Sequence, residues 1–140
     1  TDLNQWVHVC GTWDGTTITL YINGSSVATA SKTGSISYST NNTRIGDLEG
    51  VSGWNFDGNI DEVGIWDVAL DSDAVTALYN SGSPTDLSSD SGDYDNSGDL
   101  QAWYRMGDGD TYPTLTDNST NSNDGTMTNM ASDDIEEDTP

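Results

Sequence analysis

The stretch Gly58–Leu70, GNIDEVGIWDVAL, decides how this chain is read. A strand half-buried in a sheet alternates apolar and polar residues. Val63 and Ile65 keep that period, but Ile60 stands three positions before Val63. The acidic pair Asp61 and Glu62 fills the gap. A β-bulge inserts one extra residue in this way and re-aims a side chain. At a sheet rim it would turn Asp61 outward. The next residues, DSDAVTALYNSG, carry the one helical signal. Asp71 or Ser72 can cap it, Ala74, Ala77 and Leu78 recur at helical spacing, and Gly82 can end it, so a short helix is predicted near 72–80.

Upstream the pattern is β throughout. WVHVCGT, residues 6–12, alternates, with Trp6, His8 and Cys10 on one face and Val7 and Val9 on the other. A turn at Asp14-Gly15 leads into TTITLYI, where Ile18, Leu20 and Ile22 share a face opposite Thr19 and Tyr21. Asn23-Gly24 is a strong hairpin signal, and SSVATAS is the returning strand. Weaker strands are predicted at SISYS (35–39) and TRIGD (43–47). EGVSGWNFDG reads as a loop.

Downstream, residues 83–99 shift to Ser, Asp and Gly, the composition of a linker or surface loop. LQAWYRM (100–106) is a further strand. Residues 107–125 form a long polar loop, TMTNM (126–130) a last short strand, and 131–140 an acidic tail. Four segments follow: 1–82, 83–99, 100–130 and 131–140.

The totals exclude several functions. Twenty-four Asp and Glu against three Lys and Arg give a net charge of −21 over 140 residues. Nucleic acid and anionic lipid both need clustered basic residues, so neither is an expected partner. The charge should attract divalent cations and suit a saline medium. No apolar run is long enough to span a bilayer, and no signal peptide is visible. Without an initiator Met the chain reads as a processed piece or a segment of a longer polypeptide. Cys10 is the only cysteine, so no intrachain disulfide forms, and in a strand it reads as a small buried hydrophobe.

Catalysis is not expected. His8 is the sole histidine, and mid-strand it reads as a satisfied sheet histidine. Cys10 shares its face, but neighbours two apart on a flat strand do not easily present a nucleophile. DYDNSGDL, residues 93–100, fits the opening of an EF-hand loop through Asp93, Asp95, Ser97 and Gly98. The twelfth position should be a bidentate Glu but is Tyr104, and no helices flank it, so a linker is the better reading. Trp54 and Phe56 in one loop and Tyr112 in another can stack on sugars, or can plug the ends of the fold. Asn23, Asn41 and Asn118 begin glycosylation sequons, which matter only on a glycosylating secretory route.

WVHVCGTWDG, ITLYINGSSV, TRIGD and FDGNIDEVGIWDVALDSDAVTALYNSG, in that order over residues 5–82, resemble laminin G-like domains of the concanavalin A-like lectin/glucanase superfamily. LQAWYRMGDGDTYPTLTDNSTNSNDGTMTN, residues 100–129, resembles the opening strand and rim loop of the same family. Two arrangements fit this inverted order, a circularly permuted sandwich or the end of one domain followed by the start of the next. In either, residues 100–106 are expected to pair with 59–66. More loosely, such segments resemble parts of surface proteins of marine bacterial viruses.

The resemblance implies an all-β, antiparallel jelly-roll sandwich with one short helix. It also implies Ca2+ at the rim, with Asp61, Asp108, Asp110, Asp117, Asn118 and Asn123 as candidate ligands, because Ca2+ takes six to eight hard oxygens. The alternative is that Asp61 caps a turn and the loop is a solvated acidic surface. Glucanases of the superfamily present paired carboxylates on one strand face. Asp61 and Glu62 are adjacent and would face opposite ways, and Asp67 does not restore the spacing. The expected protein is a non-catalytic extracellular or virion-surface module for adhesion or assembly. Its partners would be other protein subunits or a cell-surface glycan, within an oligomer or larger assembly. A lectin and an accessory domain of a glycan-active enzyme are the alternatives.

Overall fold

Two turns set the first sheet. Asp14 lends one carboxylate oxygen to the backbone N–H groups of Thr16 and Thr17, at 2.8 and 2.7 Å, and to the Thr16 hydroxyl. Asn23 and Gly24 both take positive φ, 48° and 73°, as a two-residue hairpin turn requires. A Cβ on Gly24 would meet Tyr79 at 3.0 Å, so the turn needs glycine for space as well as for backbone. The structure, a computed structural model, describes residues 4–37, 41–47, 53 and 55–135.

The turns join β1 (Val9–Trp13), β2 (Thr17–Ile22) and β3 (Ser25–Ser31) into an antiparallel sheet in that order. Val9 lies opposite Ile22, Trp13 opposite Ile18, and Ile18 opposite Ala30. An irregularity between Leu20 and Tyr21 leaves Val27 as the extra residue of β3. The alternation seen from Trp6 starts before the ladder does. Asn23 ties His8 in place instead, accepting from its backbone N–H at 3.0 Å and donating to its carbonyl at 2.9 Å.

β4 (Val63–Trp66) and β5 (Leu100–Tyr104) form a second antiparallel sheet. Val63 faces Tyr104, Gly64 faces Trp103 and Ile65 faces Ala102. The expected pairing of 59–66 with 100–106 therefore occurs within one chain, over residues 63–66 and 100–104. A small third sheet joins β6 (Thr114–Leu115) to β7 (Gly125–Thr126), one residue earlier than TMTNM predicts and shorter. TRIGD makes no strand. Its Arg44 pairs with Asp47 at 3.1 Å in a bend. SISYS makes none over residues 35–37, and its remainder lies outside the described residues.

The helix α1 spans Ser72–Tyr79. Asp71 caps it, accepting from the N–H groups of Asp73 and Ala74 at 3.0 and 2.9 Å. Asn80, at φ 41°, closes it in the left-handed region, two residues before the nominated Gly82. Among the described residues the architecture is thus antiparallel β with one short helix, as the alternation and punctuation predict.

The core lies where α1 meets both larger sheets. Tyr21 from β2, Leu70, Ala74 and Val75 at α1, and Tyr94 form one buried cluster, with Cys10 and Trp66 against it. Leu87, Leu100 and Trp103 form another, and Trp66 and Leu78 touch both. Cys10 is half-buried, and burial raises its thiol pKa. Segment 83–99 is therefore not loose, despite its linker composition. Tyr94 donates its hydroxyl to the Leu87 carbonyl at 2.8 Å and accepts from the Trp66 indole at 3.0 Å. Burying two large apolar residues fixes a loop that composition reads as free.

Candidate functional site

Glu62 resolves the broken period of the opening stretch. No bulge is inserted there. The ladder begins at Val63, and Glu62 precedes it in the left-handed region at φ 51°. That backbone sends the Glu62 side chain across to β5. Its Oε2 accepts from the Trp103 indole N–H at 2.6 Å, and its Oε1 from Arg105 Nε at 3.3 Å. The Arg105 guanidinium also pairs with Asp108 and stands 5.6 Å from the Trp103 ring centre. Asp61 turns back on its own chain, accepting the Glu62 N–H at 2.8 Å. Burial raises the Asp61 carboxyl to about 6, and the charges of Glu62 and Asp108 push the same way, against that N–H and Arg105.

Beside this network lies a cleft of about 410 Å³ lined by Glu62, Pro84, Thr85, Asp86, Trp103 and Arg105. Asp86 accepts from Ser88 N–H and hydroxyl at 2.9 and 2.6 Å, which holds its carboxyl below the usual range. The Thr85 hydroxyl is buried with no hydrogen-bond partner among the described residues. Carboxylates and a guanidinium at such a cleft can meet a polyhydroxylated ligand, while Trp103 belongs to the core beneath it.

The other candidates gather along the edge of β5 that faces away from β4. Asp117 is 6% exposed. Its Oδ1 accepts from the N–H groups of Trp103 and Ser119, and its Oδ2 from the Asn123 N–H and the Ser119 hydroxyl, all at 2.7–2.9 Å. An ionised carboxylate has about four lone-pair sites, so these four donors fill it. Burial alone would raise this carboxyl, but the donors outweigh it and hold it below the ordinary value. Asn118 N–H bonds the Trp103 carbonyl at 2.7 Å. The Asn121 and Asn123 amides donate to the Gln101 carbonyl at 3.2 and 2.9 Å.

Asp110 accepts from Gly107 and Thr116 N–H at 3.0 and 2.7 Å. Of the loop candidates, Asp117 is thus filled by protein donors, and Asp110 takes one on each oxygen. Among the described residues no three Asp, Glu, His or Cys side chains stand together as a metal site.

The remaining candidates scatter. Phe56 and Tyr112 are exposed, at 60% and 44%, and Trp54 lies outside the described residues. Asp93 and Asp95 belong to a loop closed by Asp90, which accepts the Ser97 N–H and hydroxyl at 3.1 and 2.6 Å. His8 is not the satisfied histidine expected. Its Nδ1 is buried without a hydrogen-bond partner among the described residues, its ring lies 5.8 Å from Tyr79, and burial lowers its pKa. Sequence reasoning overlooked Trp103, Arg105 and Asp86. The signal for Arg105 was present, since it is one of three basic residues and stands two after Trp103 on the strand expected beside Asp61-Glu62.

A laminin G family model, described as the concanavalin A-like lectin/glucanases superfamily, matches residues 1–76. The crystal structure of an S-layer domain-containing protein (residues 221–444) from Clostridium thermocellum is similar, with 30% identity and a TM-score of 0.50. The likeness covers 56% of this chain and 41% of that one. No curated protein matches.

Proposed function

Because the chain belongs to the concanavalin A-like lectin/glucanases superfamily, we propose that it is a non-catalytic module of a surface protein, acting in adhesion or assembly outside the cell or on a virion. The observation that carries this reading is the fate of Glu62. A retaining glycosidase needs two carboxyls about 5 Å apart, an inverting one about 6.5–9.5 Å, both free to face the sugar. Glu62 is instead held by the Trp103 indole and by Arg105, and Asp61 by its neighbour's amide. The likeness to an S-layer domain-containing protein supports a surface setting.

The cleft favours one finer reading, that the adhesion is to glycan. The exposed Asp86 carboxylate and the half-buried Arg105 guanidinium line this cleft and are groups that a sugar's hydroxyls can meet. Calcium enters this reading as a counter-ion to the −21 charge. An immobilised glycan panel tests binding, and release of reducing ends from the same glycans tests catalysis. Binding that Asp86→Ala weakens, without turnover, is the expected result. Measurable hydrolysis would refute the non-catalytic reading, and an empty panel would refute the glycan one.

A further inference from the structure

The tip of the Asn23-Gly24 turn is docked on α1. Gly24 is buried, and a Cβ built on it would meet Tyr79 at 3.0 and 3.2 Å and the Thr76 backbone at 3.4 Å. The Thr76 hydroxyl reaches the Gly24 carbonyl at 3.1 Å, as well as the Ser72 carbonyl of its own helix at 2.8 Å. His8 completes the contact. Asn23 fixes the His8 backbone through both its N–H and its carbonyl, and the imidazole lies 5.8 Å from the Tyr79 ring, tilted by 37°. The sole histidine of the chain thus stands at the joint between the first hairpin and the last turn of the helix.

The ring is poorly provided for at this joint. Its Nδ1 is sealed from solvent and has no hydrogen-bond partner among the described residues. The titratable groups on the elements around it are phenols and a thiol: Tyr79 on α1, Tyr21 on β2 and Cys10 on its own strand. The one acid of α1, Asp73, lies in the first turn, at the far end of the helix, and β3 carries no charge. Burial is what lowers the His8 pKa, and no charged group contributes. A neutral imidazole leaves one lone pair or one N–H unmet at Nδ1. An imidazolium carries N–H on both nitrogens, so Nδ1 would become a charged donor with neither acceptor nor water.

We propose that His8 is an acid-sensitive latch: proton uptake by its ring releases the Asn23-Gly24 turn and the start of β1 from α1. Release gives Nδ1 to water, and it breaks the Thr76–Gly24 bond and the packing on Tyr79. The direction follows from linkage. The released ring takes its proton near the ordinary histidine value of about 6.5, the docked ring only at lower pH. Docking is therefore complete above about 6.5 and weakens as pH falls from there towards the docked value, by up to about tenfold per pH unit. The β4–β5 sheet does not share this response. Asp117, whose carboxyl is held below the ordinary value, keeps the Trp103 N–H through the same range. Acid thus frees one end of the molecule and leaves the other intact. The latch does not depend on the adhesion reading, since none of its residues lines the cleft.

Amide hydrogen exchange of the full chain, read by NMR as protection factors, tests it. Between about pH 7 and about pH 5 the His8 and Asn23 amides should lose protection on the order of tenfold. The Trp103 amide should keep its own. His8→Gln, which cannot take up a proton, should hold the protection of Asn23 at both pH values. The His8 ring resonances of the unaltered protein give a second measurement that needs no variant, with a midpoint expected below about 6.5. A midpoint at or above that value would overturn the proposal, as would unchanged protection at Asn23. So would an equal loss in His8→Gln, or a parallel loss at Trp103, which would mark ordinary acid unfolding of the whole chain.

Discussion

Asp117 accepts the backbone N–H of Trp103 at 2.8 Å, a bond that a neighbouring strand would ordinarily supply. Three more donors complete its shell. Asp117→Ala should therefore orphan several buried donors at once. Each costs about 1–3 kcal/mol, so a loss of about 3–5 kcal/mol is expected in urea denaturation. Ser119→Ala, which removes one donor and leaves the carboxylate in place, should cost about 1 kcal/mol.

The two perturbed carboxyls give opposite pH dependences. Asp61 is raised in the fold to about 6. Its contribution to stability is present below the ordinary Asp value of about 3.9 and is lost as pH rises through about 6. Asp61→Asn should melt higher than wild type near neutral pH, and the two should converge in acid. Asp117 is lowered, so its contribution is present above the ordinary value and is lost as pH falls through its lower folded one. Melting curves of Asp117→Asn against wild type should converge only in strong acid.

Glu62→Ala leaves the Trp103 indole N–H and Arg105 without their shared acceptor. A loss of about 2–3 kcal/mol is expected. Glu62→Gln keeps an oxygen for the indole but no charge for Arg105, and should cost about half as much. Thermal melts followed by tryptophan emission would read both, and equal effects would deny the indole bond its role.

Gly64 sits in β4 directly under the Trp66 ring, and a Cβ there would also meet Leu87 at 3.0 Å. Trp66 is pinned by Tyr94 and has little room to yield. Gly64→Ala should cost about 1–3 kcal/mol by overpacking, measured by chemical denaturation.

Calcium should stabilise the chain through its charge. At matched ionic strength, Ca2+ and Mg2+ should raise the melting temperature by similar amounts. A rise confined to Ca2+ and lost in Asp61→Ala would instead indicate a dedicated site.

The hairpin at Asn23-Gly24 and the Asp71 cap were legible because each rests on local chemistry, and the β4–β5 pairing because the resemblance to the family implied it. What eluded the sequence depended on tertiary burial. Alternation placed Ile18, Leu20 and Ile22 on one face but carries no information about which face meets the core. The composition of 83–99 concealed Leu87 and Tyr94, whose burial depends on Trp66 and the β5 residues elsewhere in the chain. The acidic pair was read as a bulge because spacing records an extra residue. It does not record that Glu62 adopts a left-handed backbone to reach Trp103.

Residues 117–123 press a row of amides, a hydroxyl and a carboxylate onto the free edge of β5, filling its hydrogen-bonding sites without extending the sheet. In polymer terms they act as a chain terminator: they occupy the growing end and offer no new one. That sheet is closed to strand exchange and to fibre growth from that side. Among the described residues no strand pairs with the outer edge of the seven-residue β3. Strand addition to this protein is therefore stopped at the asparagine-rich loop and left open at the ends of the sheets that carry no such loop.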